Sequence, residues 1–194
     1  MMRIIAGELG GRRIGAPPGA ETRPTSDRVR EALFSMLEHE DVLVGARVLD
    51  LFAGSGALGL EALSRGAARV DWCDPAPPAV RTLEENLATL GLRGDARCGV
   101  HRQAARSFLE RQRPTDPAER ALLALLDPPY PLTEDELAEV LAALAEGWLA
   151  AGAIVVVERS RRSPEPTWPE GLRRFRTKDY GETVLWLAEP ELPE

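Results

Sequence analysis

Hydrophobic and polar residues follow one another along this chain in blocks that change period, and the changes mark out its elements. After Thr25-Ser26, the residues Val29, Ala32, Leu33, Met36 and Leu37 fall on one helical face. Asp27 sits in the first turn of that predicted helix, where a negative charge complements the helix dipole. From Arg47 the pattern becomes strand, glycine-rich loop and helix: RVLDLF, AGSGALG and LEALSRG, closing on Gly66. A second apolar strand covers about 68–73, and Pro75-Ala76-Pro77-Pro78 opens a helix ending near Gly91. A third strand at about 96–100 precedes a helix to about Gln112. The run Ala121–Leu126 (ALLALL) suits a buried strand, although its residues fit a helix equally well. Thr133 and Glu136 make a capping box for a helix through Glu146. Ala153–Glu158 (AIVVVE) reads as a buried strand, and two more strands, near 173–178 and 183–188, flank Gly181.

Strands alternating with helices predict an α/β fold, a mostly parallel sheet with helices on both faces. The closely spaced last two strands predict an antiparallel hairpin at one edge. Residues 3–16 predict a separate small β-hairpin turning at Gly10-Gly11. The expected organisation is an N-terminal hairpin extension over 1–20 and one larger domain over 21–194.

Composition changes this picture little. The 194 residues, 44% of them hydrophobic, suit one ordinary domain, and no apolar run reaches the roughly 18–20 residues of a membrane span. The start of the chain lacks a secretory pattern, and Cys73 and Cys98 stand alone, which predicts reduced thiols in a cytoplasmic protein without a metal site. The net charge of −7 argues against nucleic acid until its distribution is read. Residues 1–30 and 159–178 are both rich in arginine around an acidic middle, compatible with a local phosphate-binding face or with ordinary solvated charge.

Two motifs carry chemistry. The first is Asp50-Leu51-Phe52-Ala53-Gly54-Ser55-Gly56-Ala57-Leu58-Gly59, a loop whose glycines let the backbone turn tightly and approach a ligand. Its Gly-x-Gly-x-x-Gly spacing is shared with dinucleotide-binding proteins. The second is Asp127-Pro128-Pro129-Tyr130, directly after ALLALL. Its prolines fix the turn and leave carbonyls free to accept, Asp127 supplies a carboxylate, and Tyr130 offers a flat face for a base.

Four blocks make the chain resemble the RsmD family, bacterial methyltransferases acting on a guanine N2 of small-subunit ribosomal RNA. They are Arg3–Gly7 with Gly11-Arg12-Arg13, Thr22–Phe34, Asp50–Ala67 and Asp127–Tyr130; Tyr180–Thr183 also matches the family's end. The resemblance implies a class I, Rossmann-like methyltransferase fold with a seven-stranded sheet, S-adenosylmethionine as cofactor, and ribosomal RNA of an assembled or assembling small subunit as partner; a monomer is the default expectation. It implies that Asp50 and Phe52, Ala53, Gly54, Ser55 and Gly56 lie under the methionine part of the cofactor, with Thr25 and Arg28 on a helix closing over its amino-acid end. Asp127 and the Pro128 carbonyl would hold the target amine, with Pro129 stiffening the turn and Tyr130 stacking on the base. Arg12, Arg13 and Arg23 would meet RNA.

The chain departs from the family at two places. Trp72 stands where a ribose-binding Glu is usual, with Asp74, or Asp71 by a local shift, as the substitute carboxylate. Ala104 stands where Asp or Asn usually meets the adenine, with Gln103 beside it. Rival readings are an adenine-N6 methyltransferase, a nucleotide-dependent dehydrogenase, which would leave DPPY unexplained, and a non-catalytic RNA-binding relative that binds RNA without S-adenosylmethionine.

Overall fold

The computed structural model describes residues 2–17 and 25–191, apart from the side chains of Thr25 and Ser26. Two short strands, β1 (Met2–Arg3) and β2 (Arg13–Ile14), pair antiparallel, and α1 (Thr25–His39) follows. Then come β3 (Arg47–Asp50), α2 (Ala57–Ser64), β4 (Arg69–Cys73), α3 (Pro77–Leu90), β5 (Cys98–His101) and α4 (Ala105–Arg111). The chain continues through β6 (Ala121–Leu126), α5 (Glu134–Ala145), β7 (Leu149–Ser160), β8 (Leu172–Tyr180) and β9 (Thr183–Pro190).

The large sheet has seven strands in the order β5-β4-β3-β6-β7-β9-β8. Strands β3 to β7 run parallel, while β9 and β8 close the edge antiparallel, as the closing pair predicts. ALLALL resolves to the strand because both of its edges are paired, Leu123 lying between Val48 and Ile154. Leu123 and Leu125 pack into the layer of α1, α2 and α3, and Ala124 and Leu126 into that of α4 and α5. An all-apolar run is what a parallel strand covered on both faces requires. The chain direction switches sides between β3 and β6, and ligands of such sheets bind outside the carboxyl ends at that point.

The N-terminal hairpin is wider than a turn at Gly10-Gly11 would make it, with residues 4–12 between its strands. The reason is its docking on α2. The buried Glu61 carboxylate accepts from the Ile5 and Ala6 N–H groups at 2.8 and 3.1 Å. Ser64 Oγ accepts from the Leu9 N–H at 2.9 Å and donates to the Ala6 carbonyl at 2.5 Å. Ile4, Leu9 and Ile14 belong to the same core as α1, α2 and α3. Farther along, the buried Asn86 side chain accepts from the Gly15 N–H at 2.7 Å and donates to the carbonyls of Gly15 and Ser55 at 3.1 and 2.9 Å. One amide thus joins the end of the hairpin to the glycine-rich loop.

Burial pushes the Cys73 thiol up to about 12 and the Cys98 thiol up to about 11, so neither is a thiolate near neutral pH. Among the described residues, no helix is long and apolar enough to cross a membrane, and no group of His, Cys, Asp and Glu is arranged to hold a metal.

Candidate active site

A cavity of ≈ 640 Å³ opens at the carboxyl ends of β3, β4 and β6, a volume within the range of small-molecule sites. Asp50, Phe52, Ala53, Gly54 and Ser55 of the glycine-rich motif line it, whereas Gly56, expected with them, does not. Gly54 holds φ at +53°, a left-handed turn on the cavity wall. Gly59 serves a different need: a Cβ there would lie 2.2 Å from the Trp72 indole nitrogen. Trp72 is fully buried beneath the loop and donates to the Gly56 carbonyl at 3.3 Å. It fills the space under the loop, and the carboxylate beside the cavity comes from Asp74, two residues on. Asp74 also fixes the loop, accepting from the N–H groups of Gly54 and Ala76 at 2.9 Å each. Each of its oxygens retains a further lone pair.

Asp71, the other candidate at that strand end, does not line the cavity. It is buried in β4 and held by Arg47, Arg69 and His101 at 2.9–3.1 Å. Ala104 lines the cavity and Gln103 does not; the Gln103 backbone carbonyl accepts from Cys73 Sγ at 3.0 Å. On α1 the cavity wall is built by Val29, Arg30 and Leu33, whereas Arg28 is exposed and off that wall. The side chain of Thr25 and all of Arg23 lie outside the described residues. Met2, Ala16 and Pro17 bring the hairpin onto the same wall, a role that no local pattern announces.

Asp50 is the chemically unusual group. It is 1% exposed, and Oδ2 accepts from the Gly59 N–H at 2.9 Å, while the buried Oδ1 has no partner among the described residues. Burial, with Asp127 and Asp74 adding like charge, pushes its carboxyl up to about 7 against the pull of the Gly59 N–H. A buried acid with an unfilled acceptor beside a cavity is arranged for a cationic ligand.

A second cavity of ≈ 160 Å³ adjoins the first. Asp127, Pro128, Pro129 and Tyr130 line it from one side, and Glu158, Arg159, Ser160 and Ser163 from the other. Asp127, Pro129 and Glu158 are common to both cavities. The turn that carries Tyr130 is closed by the Leu132 N–H donating to the Pro129 carbonyl at 3.0 Å. Beyond it, Thr133 and Glu136 form the predicted capping box, which fixes the start of α5. Arg159 ties this loop to β7 by donating to Glu134 and to the Leu132 carbonyl. Tyr130 is 68% exposed, which puts much of its ring at the surface, where a base can stack. Sequence reasoning missed Glu158, which ends AIVVVE.

The basic regions are less available than their composition suggests. Arg12 donates to the carbonyls of Thr89 and Leu90, capping α3, while Arg13 is exposed. Arg173, Arg174 and Arg176 pair with Glu189, Glu165 and Glu40. His101 contacts Asp71 and stacks near Phe108, away from both cavities.

Residues 2–189 match the family profile described as Conserved hypothetical protein 95. The chain is 39% identical over 192 residues to ribosomal RNA small subunit methyltransferase D of Escherichia coli (strain K12), covering 98% of this chain and 90% of that protein. Among solved structures, the Escherichia coli protein yhhF superposes with a TM-score of 0.82 at 35% identity, covering 98% of each chain. A hypothetical protein of Thermus thermophilus gives 0.78 at 33% identity, covering 97% of this chain and 99% of that one. The fold, the two motifs at the mouth of the sheet and the matched length agree: the chain belongs to the ribosomal RNA small subunit methyltransferase D family.

Proposed function

We propose that this protein transfers a methyl group from S-adenosylmethionine to the exocyclic N2 of a guanine in small-subunit ribosomal RNA. The observation that carries the reading is the shared wall of Asp127, Pro129 and Glu158 between a ligand-sized cavity and a small one beside an exposed tyrosine.

The residues of the large cavity fit the cofactor. Asp50, Asp74, Asp127 and Glu158 bring negative charge to a wall that is otherwise largely apolar, with Arg30 as its cation. That combination suits a ligand that is cationic at one end and has an apolar body. Asp50 Oδ1 is the buried acceptor available to a positive group, and Asp74 is the carboxylate at the end of β4. When bound, S-adenosylmethionine supplies an electrophilic methyl group on a sulfonium.

The chain's own work is positioning and polarisation. A base amine is a weak nucleophile because its lone pair is delocalised into the ring. Asp127 and the Pro128 carbonyl accept from its two N–H groups, which localises that lone pair and stabilises the positive charge that develops. Tyr130 stacks on a base drawn out of its helix. The methylated amine releases its proton readily, so no strong base is required.

Arg13 on the hairpin serves the RNA backbone. With much of the remaining arginine already paired to glutamate, the reading favours an assembling subunit over naked RNA, because a particle supplies recognition surface of its own. Transfer of labelled methyl to unmodified small subunits tests the assignment. N2-methylguanosine is the expected product, and Asp127→Ala lowers the rate by on the order of 10²–10³-fold while cofactor affinity stays within a few-fold. A near-normal rate in that variant refutes the role of Asp127. Label on an adenine or cytosine amine refutes the choice of base.

A further inference from the structure

We infer that Glu158 is the residue that selects guanine, by accepting the N1–H of the target base beside the amine held at Asp127. The inference rests on the guanine-N2 reading above and extends it to a residue outside both sequence motifs.

Leu126 of β6 lies in register with Val157 of β7, so the next residues, Asp127 and Glu158, stand side by side at the carboxyl edge of the sheet. Neighbouring strands are about 4.8 Å apart. Both acids border both cavities, so a base seated in the small cavity with its amine toward the large one meets two carboxylates along a single edge. Arg159 continues that wall. Its guanidinium turns to the opposite face of β7 from Glu158, where it donates to Glu134 and the Leu132 carbonyl.

The wall therefore offers two acceptors side by side. The Watson–Crick edge of guanine offers the complement in the same order: the N2 amine and the N1–H. Adenine and cytosine place an unprotonated ring nitrogen next to their amines. Its lone pair would face the Glu158 carboxylate, and a buried acceptor opposite an acceptor is strongly unfavourable. The tetrapeptide serves any base amine; the residue across the sheet from it makes the choice.

The deciding experiment substitutes 2-aminopurine for guanine at the labelled nucleotide of reconstituted small subunits. This analogue keeps the amine at C2 but replaces the N1–H by a lone pair and lacks O6. Wild-type protein methylates guanine roughly tenfold to a hundredfold faster than the analogue, the discrimination of one good base contact. Glu158→Gln lowers kcat/KM for guanine and moves the guanine-to-analogue ratio toward one, because its amide can donate to the bare nitrogen. Glu158→Ala also lowers the ratio, without that added donor. Melting midpoints near the wild-type value for both variants exclude misfolding as the cause. An unchanged ratio in folded Glu158→Gln overturns the inference and leaves the guanine-N2 reading standing. Wild-type label on an adenine or cytosine amine overturns both.

Discussion

Asp50 and Asp71 sit on adjacent parallel strands, both essentially inaccessible to water, and the protein treats them in opposite ways. Burial alone would raise either carboxyl. Around Asp71 that tendency is overcome by His101, Arg69 and Arg47, which hold it well below the usual carboxylate range. Asp50 receives a single N–H from Gly59 and faces two further acids, so its carboxyl rises to about 7. A buried charge must be compensated. Asp71 has its compensation built into the chain and belongs to the architecture. Among the described residues Asp50 has no cation of its own, and it borders the large cavity.

Removing the compensated acid should do the greater damage to the fold. Asp71→Ala strands Arg47 and His101 at the edge of β4, and a loss of about 3 kcal/mol in urea unfolding is expected. A loss below about 0.5 kcal/mol would mean that water already satisfies the groups left behind. Asp50→Asn should behave in reverse. The amide oxygen still accepts from Gly59, so stability is kept or gained. Titration calorimetry should show S-adenosylmethionine binding roughly tenfold to a hundredfold more weakly, about 1.4–2.8 kcal/mol. Unchanged affinity would remove Asp50 from the site.

The smallest expected effect is the most specific to the comparison. Burial pushes the Asp50 carboxyl up to about 7 in the fold from its ordinary 3.8, so the folded state binds its proton more tightly. Its contribution to stability is full below about pH 3.8 and is lost as pH rises through about 7. The stability of wild type relative to Asp50→Asn should fall by about 1 kcal/mol between roughly pH 6.3 and 8. A flat difference would mean that the acid is already ionised in the folded chain.

Much of the fold was legible because hydrophobic period and flanking glycines or prolines report local covering. The Asp50–Gly59 loop and the Asp127–Tyr130 turn were legible because their chemistry is contiguous. Glu158 was not, since its place beside Asp127 is set by the register between two strands about thirty residues apart, which neither strand reveals alone. Arg30 was missed for Arg28 because two residues turn a helix by about 200°, and the choice of face depends on what the hairpin covers. Trp72 is a third case. Its indole fills the room that Gly59 leaves, a complementarity visible only in three dimensions.

The docking of the hairpin on α2 also sets an order of assembly. The backbone of Ile5 meets Glu61 across 56 residues of chain, and Leu9 meets Ser64 across 55. The loop after β1 therefore lacks these two partners until the helix after the glycine-rich loop has been made. Loop closure over that distance must precede the bonds that reward it. A cut after residue 20 would separate two stretches of sequence without separating two folding units, and it would leave the Glu61 carboxylate buried without its backbone donors.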